Sequence, residues 1–592
     1  MPDPTILGTE ELDTREGARL IGRALVRRKV VLLAGMVLAA LYTGFKVAVP
    51  VIFRSAVNRG FADGQPTGAR LFPLIVLLIV MALGQSAAGG FRRYFAIRMS
   101  TRVATDLRQR LFEHWQRLSF GFHDRVQTGQ LMARANSDLE QIQNFVVYIP
   151  LLFANLLTFV AAIVFMFVIN VAMAAAALAV LPLLVLTARL MAKRLSPIVA
   201  RIQQRLSDLT TVVEESIAGV RVVKALGRED EQVRRLTAVA DEVRDEALAA
   251  ARARAIYVPL LIMLPSVATL VVFWYGARQV ISGQLELGDL ISFMFFIGLL
   301  IWPLQLVGEL TAQWKRAVAS AARAHNVLDQ DPQIVDLPGA RAMPRGDGQI
   351  KFDDVSFSYD NGRSVLDHLS FEVPPGSSVA IVGPTGCGKS TVARLIPRFY
   401  EVDSGSILID GCDIKEMTVR SLRDRIAIVF EDTFLFSDTI RENIAYGCID
   451  ADDAKIEEAA RLARADEFIA ALPDGLDTVV GEQGMTLSGG QRQRIAIARA
   501  LLTDPEILIL DSATTSVDAA VENQIRDALE VVMKGRTTVI VADRPATVSL
   551  AQEVIYLEGG RLMAQGRHQD LIREMPEYRN LMAGPDARLG DS

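Results

Sequence analysis

The sequence predicts an all-α membrane half of six transmembrane helices, followed by a cytoplasmic α/β half built on a phosphate-binding loop. Three observations predict it. Six apolar runs of about 20 residues or more cluster in the first half. A strand pattern runs directly into GPTGCGKS, residues 383–390, and on into a helix pattern. Between the halves, residues 329–348 are rich in Pro, Gly and Asp, the composition of a linker. The expected boundaries are therefore 1–330, 331–348 and 349–592.

Composition agrees with this division. A chain of 592 residues is too long for one core. Hydrophobic residues make up 51%, high for a soluble protein of this size, and the net charge of −5 points to no nucleic-acid partner. Cys387, Cys412 and Cys448 form no zinc-type spacing and suit a reducing cytosol. The first apolar run begins only after Arg27-Arg28-Lys29 and no small-residue cleavage site follows, so no cleaved leader is expected.

The six spans are 30–53, 71–90, 146–169, 171–191, 256–280 and 288–308. Each is long enough to cross about 30 Å of hydrocarbon as a helix. One such run alone reads equally well as a buried helix. Six with few internal charges read as a membrane domain. Arg23, Arg27, Arg28 and Lys29 precede the first span, Arg92, Arg93, Arg98, Arg102, Arg108 and Arg110 follow the second, and Arg189, Lys193 and Arg194 close the fourth. That excess marks the cytoplasmic side, so both termini are expected inside and 54–70, 169–171 and 281–287 are external turns. The stretches 91–145 and 192–255 have helical apolar spacing and almost no proline. They are expected to carry the helices into the cytoplasm and back, turning near 122–131 and 211–230.

In the second half, 350–359 and 379–382 read as strands. The glycines of GPTGCGKS let backbone N–H groups turn inward around phosphates, and the helix that starts at Lys389 adds its positive end. The expected ATP-binding residues are Gly383, Pro384, Thr385, Gly386, Cys387, Gly388, Lys389, Ser390 and Thr391, with Lys389 reaching the β- and γ-phosphates and the Ser390 hydroxyl binding Mg²⁺. In ILILD, residues 507–511, four apolar residues deliver Asp511 as a further magnesium ligand. Tyr359 is positioned to stack on adenine, although a strand tyrosine also serves in packing.

LSGGQRQRIAIARALL, residues 487–502, completes the pattern. With the phosphate loop and ILILD it makes nearly the whole chain resemble an ABC transporter subunit with an exporter-type membrane domain. The resemblance implies that Leu487, Ser488, Gly489, Gly490 and Gln491 act on ATP held by a partner domain, two domains sandwiching two ATP molecules head to tail. It also implies that TVVGEQG (478–484) touches a transmembrane turn, that TSVD (515–518) crosses to the partner, and that VRVVKALGRED (220–230) is the second cytoplasmic turning region.

Three positions depart from the family pattern. Ser512 stands where the family has the glutamate that activates water. Asp543 replaces the switch histidine beside the γ-phosphate, and Glu431 replaces a glutamine that helps hold magnesium. A serine is no general base near neutral pH, and a carboxylate repels the charge that develops on the γ-phosphate. Glu431 differs, because a carboxylate still coordinates Mg²⁺. The expectation is a site that binds ATP with Mg²⁺ but hydrolyses it poorly. Such a chain would be half of a heterodimeric exporter of amphipathic compounds (drugs, lipids or peptides) in a bacterial membrane. An importer on the same fold, for example for siderophores, and a nucleotide-sensing regulator are the alternatives. Lys46 is the one clear charge in the first span, and it lines a cavity or snorkels to the outer interface. Trp302, Gln305 and Glu309 either face the pathway or pack.

Overall fold

The computed structural model describes residues 13–60, 68–126, 128–359, 362–512 and 519–583. The expected TSVD segment at 515–518 lies outside them, as do the side chains of Trp302 and Gln305. The chain divides into two compact units. One runs up to His114 and resumes over Gly129–Asp329. The other joins Trp115–Thr128 to everything from Gln330 onward.

The first unit is all helical: α1 (Thr14–Arg27), α2 (Lys29–Gly60), α3 (Gly68–Trp115) and, after the short α4 (Phe120–Arg125) that belongs to the other unit, α5 (Thr128–Ala133), α6 (Leu139–Ile169), α7 (Val171–Leu178), α8 (Leu181–Ala218), α9 (Val220–Leu226), α10 (Glu229–Ile281) and α11 (Leu287–Leu328). Among the described residues, five helical stretches are long and apolar enough to cross a membrane, and the start of α11, Leu287–Ile301, is a shorter apolar one. The lengths go far beyond a bilayer. The 53 residues of α10 rise about 80 Å, against about 30 Å of hydrocarbon. The sequence supplies clear stops. Asn170 ends α6, and its side chain accepts from Met173 N at 3.0 Å to start α7. Pro182 in the first turn of α8 marks the break after α7. Gly227, at φ +59°, turns the chain from α9 toward α10, a conformation that favours glycine. α6 packs along α2 and α11, and α8 along α10. A core shared by α2, α6, α7, α10 and α11 includes Met166, Met173, Val272, Phe293 and Phe296, all fully buried. Arg323 closes a salt bridge onto the buried Asp138 at the start of α6.

The second unit carries two sheets. The strands are β1 (Ile350–Ser358), β2 (Ser364–Val373), β3 (Ser378–Val382), β4 (Ser404–Ile409), β5 (Cys412–Asp413), β6 (Ile426–Val429), β7 (Ile507–Asp511), β8 (Thr537–Val541), β9 (Glu553–Glu558) and β10 (Arg561–Gly566). β2-β1-β4-β5 form an antiparallel sheet, and the central sheet runs β10-β9-β3-β8-β7-β6 with β9, β3, β8, β7 and β6 parallel. β3 and β7 read as continuous apolar runs because both of their faces are covered. Ala380, Val382, Leu508 and Leu510 enter one core, Val379, Ile381, Ile507 and Ile509 the other. Each of the Val, Leu and Ile side chains among these contributes about 1.5–3 kcal/mol of burial. The linker is not loose. Arg398 donates to Val335 O at 3.3 Å, and Arg341 bridges Met417.

Trp115–Thr128 joins this unit through aromatic packing. Phe120 stacks on Phe399 with centroids 4.4 Å apart, Ser119 donates to Gln333, and the Tyr400 hydroxyl donates to Asp124. The first turn therefore begins earlier than 122, and its short helix is part of the second unit.

Candidate functional site

The phosphate loop follows the fully buried β3 and leads into α12 (Lys389–Leu395). Gly386 and Gly388 sit at φ +84° and +104°, so side chains there are strained. Gly383 is required for a different reason, since a Cβ would lie 2.1 Å from Leu557 O. Lys389 is buried, and its ammonium donates to Gly383 O at 2.7 Å and Pro384 O at 3.2 Å. The Ser390 hydroxyl donates to Asp511 Oδ1 at 3.2 Å. The hydroxyl and the carboxylate expected to hold magnesium are thus side by side.

The departing residues sit around this pair. Asp543 Oδ1 lies 3.0 Å from Lys389 Nζ, an ion pair whose lysine side chain is 9% exposed and whose aspartate is 52% exposed. Burial pushes the Asp511 carboxyl above its ordinary range; the Ser390 hydrogen bond and Arg394 oppose that, while the charges of Glu431 and Asp543 add to it. Ser512 is buried at φ +52°, with its N–H donating to Val541 O at 3.2 Å. Burial also pushes up the Cys387 thiol, whereas Lys389 opposes the shift.

Tyr359 is engaged. Its hydroxyl is 3.1 Å from Thr391 Oγ1, and its ring meets Phe357 and Tyr400 edge-on. Ser488 is exposed and caps the helix Gly489–Leu502. Its hydroxyl accepts from Gln491 N, and Gln491 Oε1 accepts from Ser488 N at 2.8 Å, a reciprocal capping box. Leu487 and Gly490 are buried, so the first helical turn presents Ser488 and Gly489 outward. The spacing of Ser488 and Gln491 in SGGQ carried the capping-box signal in the sequence. The Lys389–Asp543 pair carried none, because it depends on strand order.

A family model described as the ABC transporter transmembrane region matches residues 32–304, and one described as ABC transporter matches residues 366–515. The ATP-dependent lipid A-core flippase of Syntrophus aciditrophicus is 34% identical over 97% of this chain and 95% of its own length. The chain belongs to the ABC transporter family. An uncharacterised ABC transporter ATP-binding protein of Bacillus subtilis, YknV, is 35% identical over 95% of this chain and 93% of its own. A solved structure of a bacterial Atm1-family ABC exporter with ATP bound matches at TM-score 0.76 and 29% identity, covering 96% of this chain and 100% of that one. This ABC transporter is thus of exporter type: a multi-pass membrane domain fused to an ATP-binding domain that drives transport by ATP hydrolysis.

Proposed function

We propose that this ABC exporter chain is one half of a heterodimer whose own ATP site binds Mg²⁺-ATP and hydrolyses it slowly. Hydrolysis then occurs mainly at a second site, completed by Leu487, Ser488, Gly489, Gly490 and Gln491 of this chain on ATP held by the partner. The observation that carries the reading is the pairing of Ser512 with Asp543 around an otherwise intact phosphate loop. Proton-transfer catalysis is worth about 10²–10⁴-fold, and Ser512 cannot supply it. Asp543 adds negative charge and occupies the lysine that would otherwise turn toward phosphate.

The donor set fits magnesium. Ser390 and Asp511 offer adjacent oxygens, Glu431 adds a third within electrostatic reach of Asp511, and all are hard ligands. Magnesium would neutralise phosphate charge at Ser390, Asp511 and Glu431. The phosphate cradle is Gly383, Pro384, Thr385, Gly386, Cys387, Gly388, Lys389 and Thr391, with Tyr359 under the base. The chain would lie in a bacterial inner or plasma membrane with both termini cytoplasmic, as its arginine distribution favours. Its cargo would be amphipathic, in keeping with the lipid named for the Syntrophus relative. The test is steady-state ATPase of the purified full-length chain against the complex with its co-purifying partner. Little activity alone supports the proposal; equal activity sinks it.

A further inference from the structure

α2 and α3 run antiparallel in the membrane unit, and their register is fixed at two levels. At one, Arg28 donates to both carboxylate oxygens of Asp106. At the other, the Arg92 guanidinium lies over the Tyr42 ring, 5.2 Å from its centroid. Both intervals are fourteen residues, which is about 21 Å of helix. Arg92 therefore stands beside the middle of the apolar helix Lys29–Arg59, not at the inner flank where its place after the span 71–90 puts it. Lys46, one turn further along α2, has its ammonium 5.9 Å from the same ring.

Glycines hold this arrangement closely. A Cβ on Gly89 would lie 3.3 Å from the Tyr42 ring, and one on Gly84 would lie 2.9 Å from the Phe45 ring. Among the described residues, no carboxylate acts on either cation, whereas Arg92 acts on Lys46 and Arg93 on Arg92. Arg92 Nε is buried with no hydrogen-bond partner. Exposed Leu41, Phe91 and Tyr94 lie beside them in sequence. Cations at bilayer depth are costly against hydrocarbon and as a rule face the bundle interior or a water-filled pathway, paired with a counter-charge.

We propose that Lys46 and Arg92, gathered around Tyr42, form a binding site for the acidic head group of an amphiphile, with its apolar part against the neighbouring aromatic and aliphatic side chains. This rests on the reading of the chain as an exporter of amphipathic cargo, and it narrows that cargo to anionic compounds. Tyr42 serves both cations through its ring face and leaves their N–H groups free for phosphate or carboxylate oxygens.

The test uses the full-length complex in phosphatidylcholine nanodiscs without ATP, so that neither hydrolysis nor the competence of either ATP site affects the result. Dodecyl phosphate should bind saturably and dodecyltrimethylammonium should not. Lys46→Gln and Arg92→Gln should each weaken dodecyl phosphate binding at least tenfold, and Lys46→Arg should retain it. ATP binding by each variant reports that the fold is intact. Equal binding of both probes, or unchanged binding in the folded double variant, overturns the proposal. Displacement by millimolar inorganic phosphate also overturns it, in favour of a free-anion site. Separately, ATP-driven uptake of neither probe into vesicles would count against the exporter reading, while a binding difference between the probes would stand.

Discussion

Lys389 Nζ and Asp543 Oδ1 stand 3.0 Å apart in the ATP-binding unit, so the phosphate-loop lysine already has a counter-ion from its own chain. The pairing follows from topology. β3 and β8 are parallel neighbours with Ile381 opposite Val541, which brings the residues after β8 beside the loop after β3. A carboxylate two residues past β8 therefore meets the lysine that opens α12.

Releasing that lysine should strengthen ATP binding. Asp543→Asn removes a half-exposed ion pair, worth about 1 kcal/mol, so the ATP dissociation constant at this site should fall roughly fivefold. Nucleotide titration of the full-length chain checks it. Ser512→Glu alone should leave hydrolysis nearly unchanged, because Asp543 still faces the γ-phosphate, whereas the pair of changes Ser512→Glu and Asp543→His should raise it.

Asp511 makes the nucleotide-free site sensitive to pH and to magnesium. Burial raises its carboxyl above the unfolded value, so the folded state holds that proton more tightly than the unfolded chain does. The stability this contributes is present below about pH 3.8, the unfolded value, and is lost as pH rises through the higher folded value. At neutral pH the ionised, buried carboxylate is a burden. Asp511→Asn should raise the Tm of the nucleotide-free protein while abolishing the further rise that Mg²⁺-ATP gives the native chain. Calorimetry with and without magnesium decides this; an unchanged magnesium effect in the variant would remove Asp511 from the donor set.

Damage at Ser488 belongs to the other site. A bulky residue at Ser488 or Gly489 obstructs the helix N-terminus offered to the partner's nucleotide, and losing one such donor costs about 10²–10³ in rate. Ser488→Ala additionally removes the cap, about 1 kcal/mol of local stability. The ATPase rate of the complex should collapse with Ser488→Trp yet fall only partly with Lys389→Ala.

Topology is tested by cysteine reactivity. A cysteine at Gln284, in the exposed turn between α10 and α11, should react with an impermeant reagent applied outside intact cells. One at Gly129 should not, and labelling there would invert the orientation.

Much of this was legible in the chain because the signals are local. GPTGCGKS needs only its own glycines, ILILD is one strand apolar on both faces, and the helix stops at Asn170 and Gly227 act within a turn. What was not legible depends on residues far apart in sequence. The stack of Phe120 on Phe399 draws Trp115–Thr128 into the ATP-binding unit. α3 runs unbroken from Gly68 to Trp115, so the sequence boundary of the second span hid the depth of Arg92. Asp543 read as a missing histidine, when its contact with Lys389 matters as much.

The most direct measurement follows the nucleotide itself. The complex is loaded with a photoreactive ATP analogue labelled on the α-phosphate, allowed to turn over, and cross-linked. The nucleotide recovered on this chain's phosphate loop should remain triphosphate while that on the partner is diphosphate. Diphosphate on this chain, formed as fast as on the partner, would contradict the account.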